Sequence, residues 1–342
     1  MANKMKAYVL HAVNKLQYDD INKPDCPDGW AIVKVKAAGI CSSDIARVFT
    51  KGTYHFPTIP GHEFAGIVDS VSSEEDKGLV GKHVGIFPLI PCRECPQCKD
   101  KHYEMCAHYD YVGSRRDGGF AEYVAVPVWN LIPLSDAIPF TSAAMLEPLS
   151  VALHAAKIAD IQKGQSVGVI GTGMIGICAA QWAKCLGADI VDVIGRNEAK
   201  RNLVEKAGLN YIIMTEQKEN CQFDVVIEAV GNPKSIDLAI QSVSPGGTLV
   251  LMGNPSGDIS LSQNTYWRIL RKQLLLKGTW NSSYDGKNPS DWTEVVEALE
   301  KREIKVEHLI SHCFDQDNLK EGLDLMFLHK ESYCKVMTVW NK

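Results

Sequence analysis

Residues 91–106 read PCRECPQCKDKHYEMC, and four of these sixteen are cysteines: Cys92, Cys95, Cys98 and Cys106. The spacing is C-x2-C-x2-C-x7-C. Two short gaps let a tight loop wrap three sulfurs around one ion, and the longer gap brings the chain back with the fourth. Four thiolates close a tetrahedral shell around zinc and leave no position for water or substrate. Such an ion is structural. It replaces a hydrophobic core, and metal binding and local folding are coupled. An iron–sulfur cluster also takes four cysteines, but its usual spacings differ. The chain has eleven cysteines, and its start, MANKMKAYVLHAV, has no long apolar leader and no clear cleavage site. The expected location is the cytoplasm, where a dense cysteine cluster reads as a metal site before it reads as disulfides.

A second set of donors is dispersed. AGICSSDI carries Cys41, PGHEFAG carries His62 and Glu63, and LEPLSVALHA carries Glu147. One thiolate, one imidazole and one or two carboxylates suit a zinc ion with a position left free for substrate. As a Lewis acid, that ion polarises a carbonyl or lowers the pKa of a bound hydroxyl. Taken singly, each of these residues reads as ordinary core or surface, so spacing alone leaves the second metal open.

A third motif, SVGVIGTGMIG, puts Gly171, Gly173 and Gly176 between an apolar strand and a helix that begins at Met174 and Ile175. The first glycine makes the tight turn, the second lets the backbone approach a pyrophosphate, and the third lets helix and strand pack closely. The helix N-terminus faces the anion. NAD-binding chains usually end the next strand with an acidic residue for the ribose 2′-OH. Here that strand ends IVDVIGRNEAKR, so Gly195 holds the acidic position and Arg196 follows. A glycine leaves room for a 2′-phosphate, an arginine binds it bidentately, and Lys200 and Arg201 add charge one turn later. The reading favours NADP(H) over NAD(H). The competing partner for the ribose, Asp192, lies three residues too early.

These groups need elements to hold them. At 342 residues the chain exceeds one hydrophobic core, so two domains are expected. The first 145 or so residues are strand-rich, with strands at 31–40, 64–71 and 120–128. Near residue 147 the texture changes. LEPLSVALHAAKIA reads as a helix with Pro148 at a break or in the first turn. Short strands then alternate with helices: 166–170, 190–194, 224–229 and 248–252 against 174–186, 198–207 and 235–242. That alternation indicates an α/β, doubly wound parallel sheet. The tail shows helices near 292–301 and 318–328 and a strand at 335–339. Apolar residues at 45%, charged residues at 23% and a net charge of −5 describe an ordinary globular chain. They give no support to a nucleic-acid or membrane-surface partner.

Taken in order, AGICSSDI, PGHEFAGIV, the four-cysteine lobe, GGFAEYV, LEPLSVALHA, VIGTGMIG and SPGGTLVLMG resemble the zinc-dependent medium-chain dehydrogenase/reductase family. Glu147 stands where its simple alcohol dehydrogenases have a cysteine, so the chain is more similar to the polyol dehydrogenase branch. Within that branch, YDYVGSRRDGGFAEY and ILRKQLLLKGTWNSSY are similar to the sugar-alcohol-phosphate dehydrogenases. The resemblance implies a GroES-like, β-rich catalytic domain at 1–149 and 285–342, with the metal lobe at about 91–107. A Rossmann coenzyme domain at 150–284 interrupts it. Cys41 and His62 are implied as ligands of a catalytic zinc. Glu63 is implied as a direct ligand or one that exchanges with water, and Glu147 as a ligand directly or through water. Ser43 is implied to pass the substrate hydroxyl proton toward solvent, and the four cysteines to hold a second zinc. Two Zn2+ per chain and a homodimer or homotetramer follow by the same route.

The implied reaction is reversible oxidation of a secondary alcohol of a polyol or polyol phosphate to the ketone. A phosphorylated substrate needs a cationic clamp, and Arg115 and Arg116 in GSRRDGGFAEY are the candidates. Their alternative is a solvated basic turn paired with Asp117. Rival readings are an unphosphorylated polyol or diol dehydrogenase, a zinc-free quinone or enoyl reductase, and a zinc-knuckle RNA-binding protein.

Overall fold

The computed structural model describes residues 4–214 and 222–341. The chain divides into two compact units: residues 1–147, 283–301 and 310–342 form one, and residues 148–282 and 302–309 the other.

In the first unit the central strand is Trp30–Ile40. It is buried nearly end to end, as its run of alanine, valine and isoleucine requires. Glu63–Val71 pairs antiparallel along one edge of it. Along the other edge Lys335–Val339 pairs with residues 37–40, and Tyr123–Pro127 pairs with residues 30–34. The sheet extends through His83–Ile86 and Leu131–Pro133 at one side and Ile310–Asp315 at the other, making seven strands. A hairpin, Lys4–Ala12 with Lys15–Asn22, forms a separate two-stranded sheet. Val33, Val35, Phe64, Val84, Phe120, Leu323 and Trp340 are among the buried side chains of this core.

Among the described residues the second unit carries six parallel strands. Their spatial order is Asn210–Ile213, Ile190–Gly195, Ser166–Ile170, Phe223–Glu228, Val243–Leu251, Leu275–Gly278. Numbered along the chain, that is 3-2-1-4-5-6, the doubly wound dinucleotide-binding order. The central strands Ser166–Ile170 and Phe223–Glu228 are short and Val/Ile-rich because both faces are covered. The helix Met174–Cys185 packs nine buried residues, which is why its sequence lacks a polar face.

The tail differs from its expected assignment. Residues 302–309 belong with the parallel-sheet unit, not with the catalytic one. Gln181 fixes them by accepting from the Lys305 N–H at 2.9 Å and donating to the Lys305 carbonyl at 3.0 Å.

Candidate active site and metal lobe

Sheet register assembles the dispersed donors. Gly39 lies opposite Glu63 across the antiparallel pair. Cys41 directly follows the first strand and His62 directly precedes the second, so one end of the pair carries all three. Cys41, His62 and Glu63 each present a donor atom, all within 4.8 Å of one another. A Cβ at Gly39 would fall on the Glu63 carboxylate, so the close approach demands glycine there.

Lys335, Asp44, Arg47, Ser43, Tyr111 and Glu147 surround these donors. Lys335 begins the strand that pairs beside Ile40. Its buried ammonium forms an ion pair with Glu63. Burial works against its charge, but the facing Glu63 and Cys41 hold it above the ordinary lysine range. Asp44 is fully buried on the short helix Ser42–Ala46. Its Oδ2 accepts from the Cys41 N–H at 3.1 Å, and its Oδ1 lies 3.4 Å from His62 Nδ1. The latter contact orients the ring electrostatically without hydrogen-bond geometry. Burial alone would raise the Asp44 carboxyl; His62, Arg47 and the Cys41 N–H bring it below the usual range. Arg47 Nη1 donates to Ser43 Oγ at 2.8 Å and to Asp44 Oδ1 at 3.2 Å. Tyr111, its ring 5.8 Å from that of His62, donates to Glu147 Oε1 at 3.1 Å. Burial, opposed by His62 and reinforced by Glu63, pushes Glu147 up to about 7. Glu147 is outside the tight three-donor group.

The donor set fits a divalent cation. Cys41, Glu63, Asp44 and Glu147 bring four acidic groups into a largely buried space against Lys335 and Arg47. Buried charge of one sign is costly unless it is paired or coordinates a metal. A thiolate, an imidazole and a carboxylate are the ligand types of an open zinc site.

The four-cysteine lobe passes a sharper test. Its sulfurs all lie within 4.8 Å of one another. Cys92 and Cys98 Sγ are 3.9 Å apart, and Cys95 and Cys106 Sγ are 4.0 Å apart. Metal–sulfur bonds of about 2.3 Å in a tetrahedron place sulfurs roughly 3.8 Å apart. A disulfide would need about 2.05 Å. Backbone N–H groups of Ala107 and Cys98 pull the Cys95 thiol down to about 6, toward the ligating thiolate. The lobe's interior consists of the cysteines with Tyr103 and Tyr109, too little apolar surface to hold it alone.

In the parallel-sheet unit the glycine turn has the expected form. Gly171 has φ of 126°, a left-handed value that disfavours side chains, and Gly176 packs its Cα against the Gly171 carbonyl. Gly173 is the N-cap of Met174–Cys185, with Ile175 in the first turn, and nothing occupies the space beside Gly173.

Two family models match the chain: an alcohol dehydrogenase GroES-like domain over residues 27–136 and a zinc-binding dehydrogenase over residues 175–301. Galactitol 1-phosphate 5-dehydrogenase of Escherichia coli is 34% identical over 290 residues, covering 82% of this chain and 84% of the relative. The crystal structure of galactitol-1-phosphate dehydrogenase from that organism covers 98% of this chain and 100% of its own, with a TM-score of 0.91 at 31% identity. A putative zinc-binding dehydrogenase from Sinorhizobium meliloti, bound to NADP, gives 0.89 at 26%, with 98% and 99% covered. An alcohol dehydrogenase from E. coli CFT073, complexed with NADH, gives 0.89 at 27% over the same shares.

The chain belongs to the zinc-dependent medium-chain dehydrogenase/reductase family, polyol dehydrogenase branch. As a member it is an oxidoreductase of the alcohol and polyol dehydrogenase class, built from a GroES-like and a Rossmann fold. The zinc-binding dehydrogenase model and the relatives solved with NADP or NADH support zinc and a nicotinamide cofactor.

The family fold does not bring every expected residue to the site. Arg115 and Arg116 line a separate cavity of about 370 Å³ with Trp30, His55, Asp117 and Tyr123, and none of Cys41, His62, Glu63 or Glu147 borders it. Arg116 is paired with Asp110, not Asp117, at 2.8 Å. Arg115 donates to the Tyr109 carbonyl at 2.9 Å and stacks on Tyr54 and Tyr109. Gly195 itself has no room for a side chain, since a Cβ there would lie 2.5 Å from Thr172 Cγ2. It would also lie 2.7 Å from Tyr211 Oη and 2.9 Å from Tyr211 Cε2. Arg201 is engaged by Glu198 and the Tyr211 carbonyl. Lys200 ends the turn Glu198–Lys200, half-buried. Arg196 is exposed and has no partner among the described residues.

Asp44, Arg47, Tyr111 and Lys335 were not read from the sequence. An acidic residue three positions past the N-cap Cys41 was the one available signal, since Asp44 closes a capping box there. Lys335 meets Glu63 across 272 residues, and no local pattern reports such a contact.

Proposed function

We propose that the chain catalyses reversible oxidation of a secondary alcohol of a polyol phosphate, of the galactitol 1-phosphate type, to the ketone with NADP(H). The observation that supports the reading is the convergence of donor atoms of Cys41, His62 and Glu63 within 4.8 Å of one another, with Ser43 two residues past Cys41 on the short helix that Cys41 caps. The substrate class comes from the relative named galactitol 1-phosphate 5-dehydrogenase. The net change is secondary alcohol plus NADP+ to ketone plus NADPH and one proton.

Cys41, His62 and Glu63, with Glu147 held in reserve by Tyr111, are the residues for the catalytic zinc; Cys92, Cys95, Cys98 and Cys106 are those for a second, structural one. When bound, the first ion supplies Lewis acidity toward the substrate oxygen and the nicotinamide supplies a hydride acceptor. The chain's own part is to position and to move a proton. Asp44 keeps the His62 ring turned. Lys335 holds the Glu63 carboxylate at the end of its strand. Ser43 takes the hydroxyl proton and passes it outward, and the charge of Arg47 at its oxygen favours release of that proton. Gly171, Gly173, Met174, Ile175 and Gly176 take the cofactor pyrophosphate at a helix N-terminus. Arg196 takes the 2′-phosphate, with Lys200 and Arg201 adding positive charge nearby. The chain assembles as a homodimer or homotetramer.

The first experiment is alcohol oxidation by the zinc-loaded protein with NADP+, comparing galactitol 1-phosphate with galactitol. Faster turnover of the phosphate is the expected result. Equal turnover, or turnover of galactitol alone, would make this a general polyol dehydrogenase.

A further inference from the structure

The site needs a cation for an anionic substrate, and the arginines read from the sequence line another cavity. One other guanidinium stands at the metal set. Arg47 follows the short helix Ser42–Ala46 and opens the wide turn Arg47–Lys51. Its two bonds, to Ser43 Oγ and Asp44 Oδ1, both leave from Nη1. Asp44 is fully buried and tied to the Cys41 backbone, so the guanidinium is anchored to the element that supplies the thiolate. Nε and Nη2 have no partner among the described residues, and neither is a buried orphan. These two N–H groups form one edge of the guanidinium, the edge that meets an oxyanion with two parallel hydrogen bonds. The side chain is 21% exposed, so that edge is held rigidly and reaches solvent.

The charge arithmetic favours an anion there. Lys335 is matched to Glu63, and Asp44 is shared among Arg47, the Cys41 N–H and the facing His62. A divalent ion on Cys41 and Glu63 would consume both of their charges and so free that of Lys335, leaving the two cations Lys335 and Arg47 against Asp44 and Glu147, with the open edge of Arg47 next to Ser43.

We infer that Arg47 is the specificity residue for an oxyanion carried by the substrate, a phosphomonoester, held through Nε and Nη2 while its reacting hydroxyl lies by Ser43. The inference rests on the polyol reading above and names where its phosphate is held. The same edge could serve a phosphate of the cofactor or a substrate carboxylate, and the experiment separates these.

The test uses the zinc-loaded full chain with Arg47→Gln and Arg47→Lys. Kinetics are measured with galactitol 1-phosphate, galactitol and a sugar acid, galactonate, each against a range of NADP+. Zinc content and melting temperature verify that each variant is folded and loaded. Inorganic phosphate is titrated calorimetrically into the cofactor-free protein. For Arg47→Gln the preference in kcat/KM for galactitol 1-phosphate over galactitol falls at least about tenfold, the size of one lost charge-assisted bidentate contact. Arg47→Lys, which keeps the charge and loses the fork, recovers part of it. Phosphate binds the wild type and not Arg47→Gln. Loss of rate on both alcohols by the same factor would overturn the inference, leaving Arg47 a partner of Ser43 only. A rise confined to the NADP+ KM would assign the edge to the cofactor. Galactonate preferred over galactitol 1-phosphate, and lost in Arg47→Gln, would replace the phosphomonoester with a carboxylate. If the wild type oxidises no alcohol, the functional reading fails, and the phosphate titration still decides on Arg47.

Discussion

At Gly195 the side chain that NAD-linked relatives use has no space. The Thr172 methyl and Tyr211 fill it, the latter donating through its hydroxyl to the Asn197 carbonyl at 2.8 Å. Gly195→Asp should therefore fail to confer NAD+ use and should lower the melting temperature, because the carboxylate must displace a packed tyrosine. On the proposed NADP(H) reading Arg196 takes the 2′-phosphate, so Arg196→Gln should raise the KM for NADP+ about tenfold and leave that for NAD+ nearly unchanged. Initial rates at varied NADP+ and NAD+ check both; an unchanged NADP+ KM would remove Arg196 from the cofactor site. Lys335 allows a stability prediction. With Lys335→Met, Glu63 is left buried without its cation, a loss of about 3–5 kcal/mol for a broken buried pair. The loss should be largest in metal-free protein and smaller once zinc offers Glu63 another cation. Urea unfolding with and without chelator measures the difference. Spacing alone left Cys41, His62 and Glu63 as ordinary residues; the family resemblance named them, and the structure brings their donor atoms together at strand ends. Lys335 was not legible, because lysine is common and its partner lies 272 residues away.

Element by element, legibility followed how much of each segment's pattern its own burial explains. Ser166–Ile170 and Lys335–Val339 stand where their apolar runs put them, and Leu146–Ile158 carries Pro148 in its first turn, where no N–H is needed. The hairpin Lys4–Ala12/Lys15–Asn22 was missed. Its second strand, KLQYDDIN, is polar, and its turn uses Asn14 at φ 61° without the glycine that marks such turns. The four-cysteine lobe is the opposite case: spacing alone foretold that its sulfurs converge, and it is nearly devoid of regular structure. Its longest helix is Pro96–Lys99. With so little apolar filling, it should depend on its ion. Cys98→Ser should drop the zinc content from two to one per chain and make the amides of 91–107 exchange rapidly, while those of Trp30–Ile40 stay protected. Cys41→Ser should also lose one zinc, but with the lobe amides unaffected. Mass-resolved hydrogen exchange with metal analysis distinguishes the two, and equal exchange in both variants would refute separate roles for the two sites.

At the scale of the whole molecule, one surface is unlike the rest. The helix Gln263–Lys272 was not expected from its sequence because only Thr265 among its residues is buried. Its Tyr266, Trp267 and Leu270 are exposed, and the next element, Leu275–Gly278, exposes Leu275 at 56% and Leu276 at 43%. That strand closes one end of the parallel sheet and pairs on one side only among the described residues. Isolated edges are usually guarded by an outward lysine. The lysine here does not serve, since Lys277 Nζ donates back to the Ile158 carbonyl at 3.0 Å. An apolar, unguarded edge is self-complementary about a two-fold axis, where the same strand from a second copy runs antiparallel and covers both. The wild type should therefore sediment as a dimer or larger at micromolar concentration. The double change Leu275→Lys and Leu276→Lys should give a monomer that keeps two zinc ions and binds NADP+. The proposed metal donors lie within the other unit, and the glycine turn lies at strands remote from this edge in the sheet order. A wild-type monomer, or a variant that stays assembled, would move the interface elsewhere and leave this edge without an occupant.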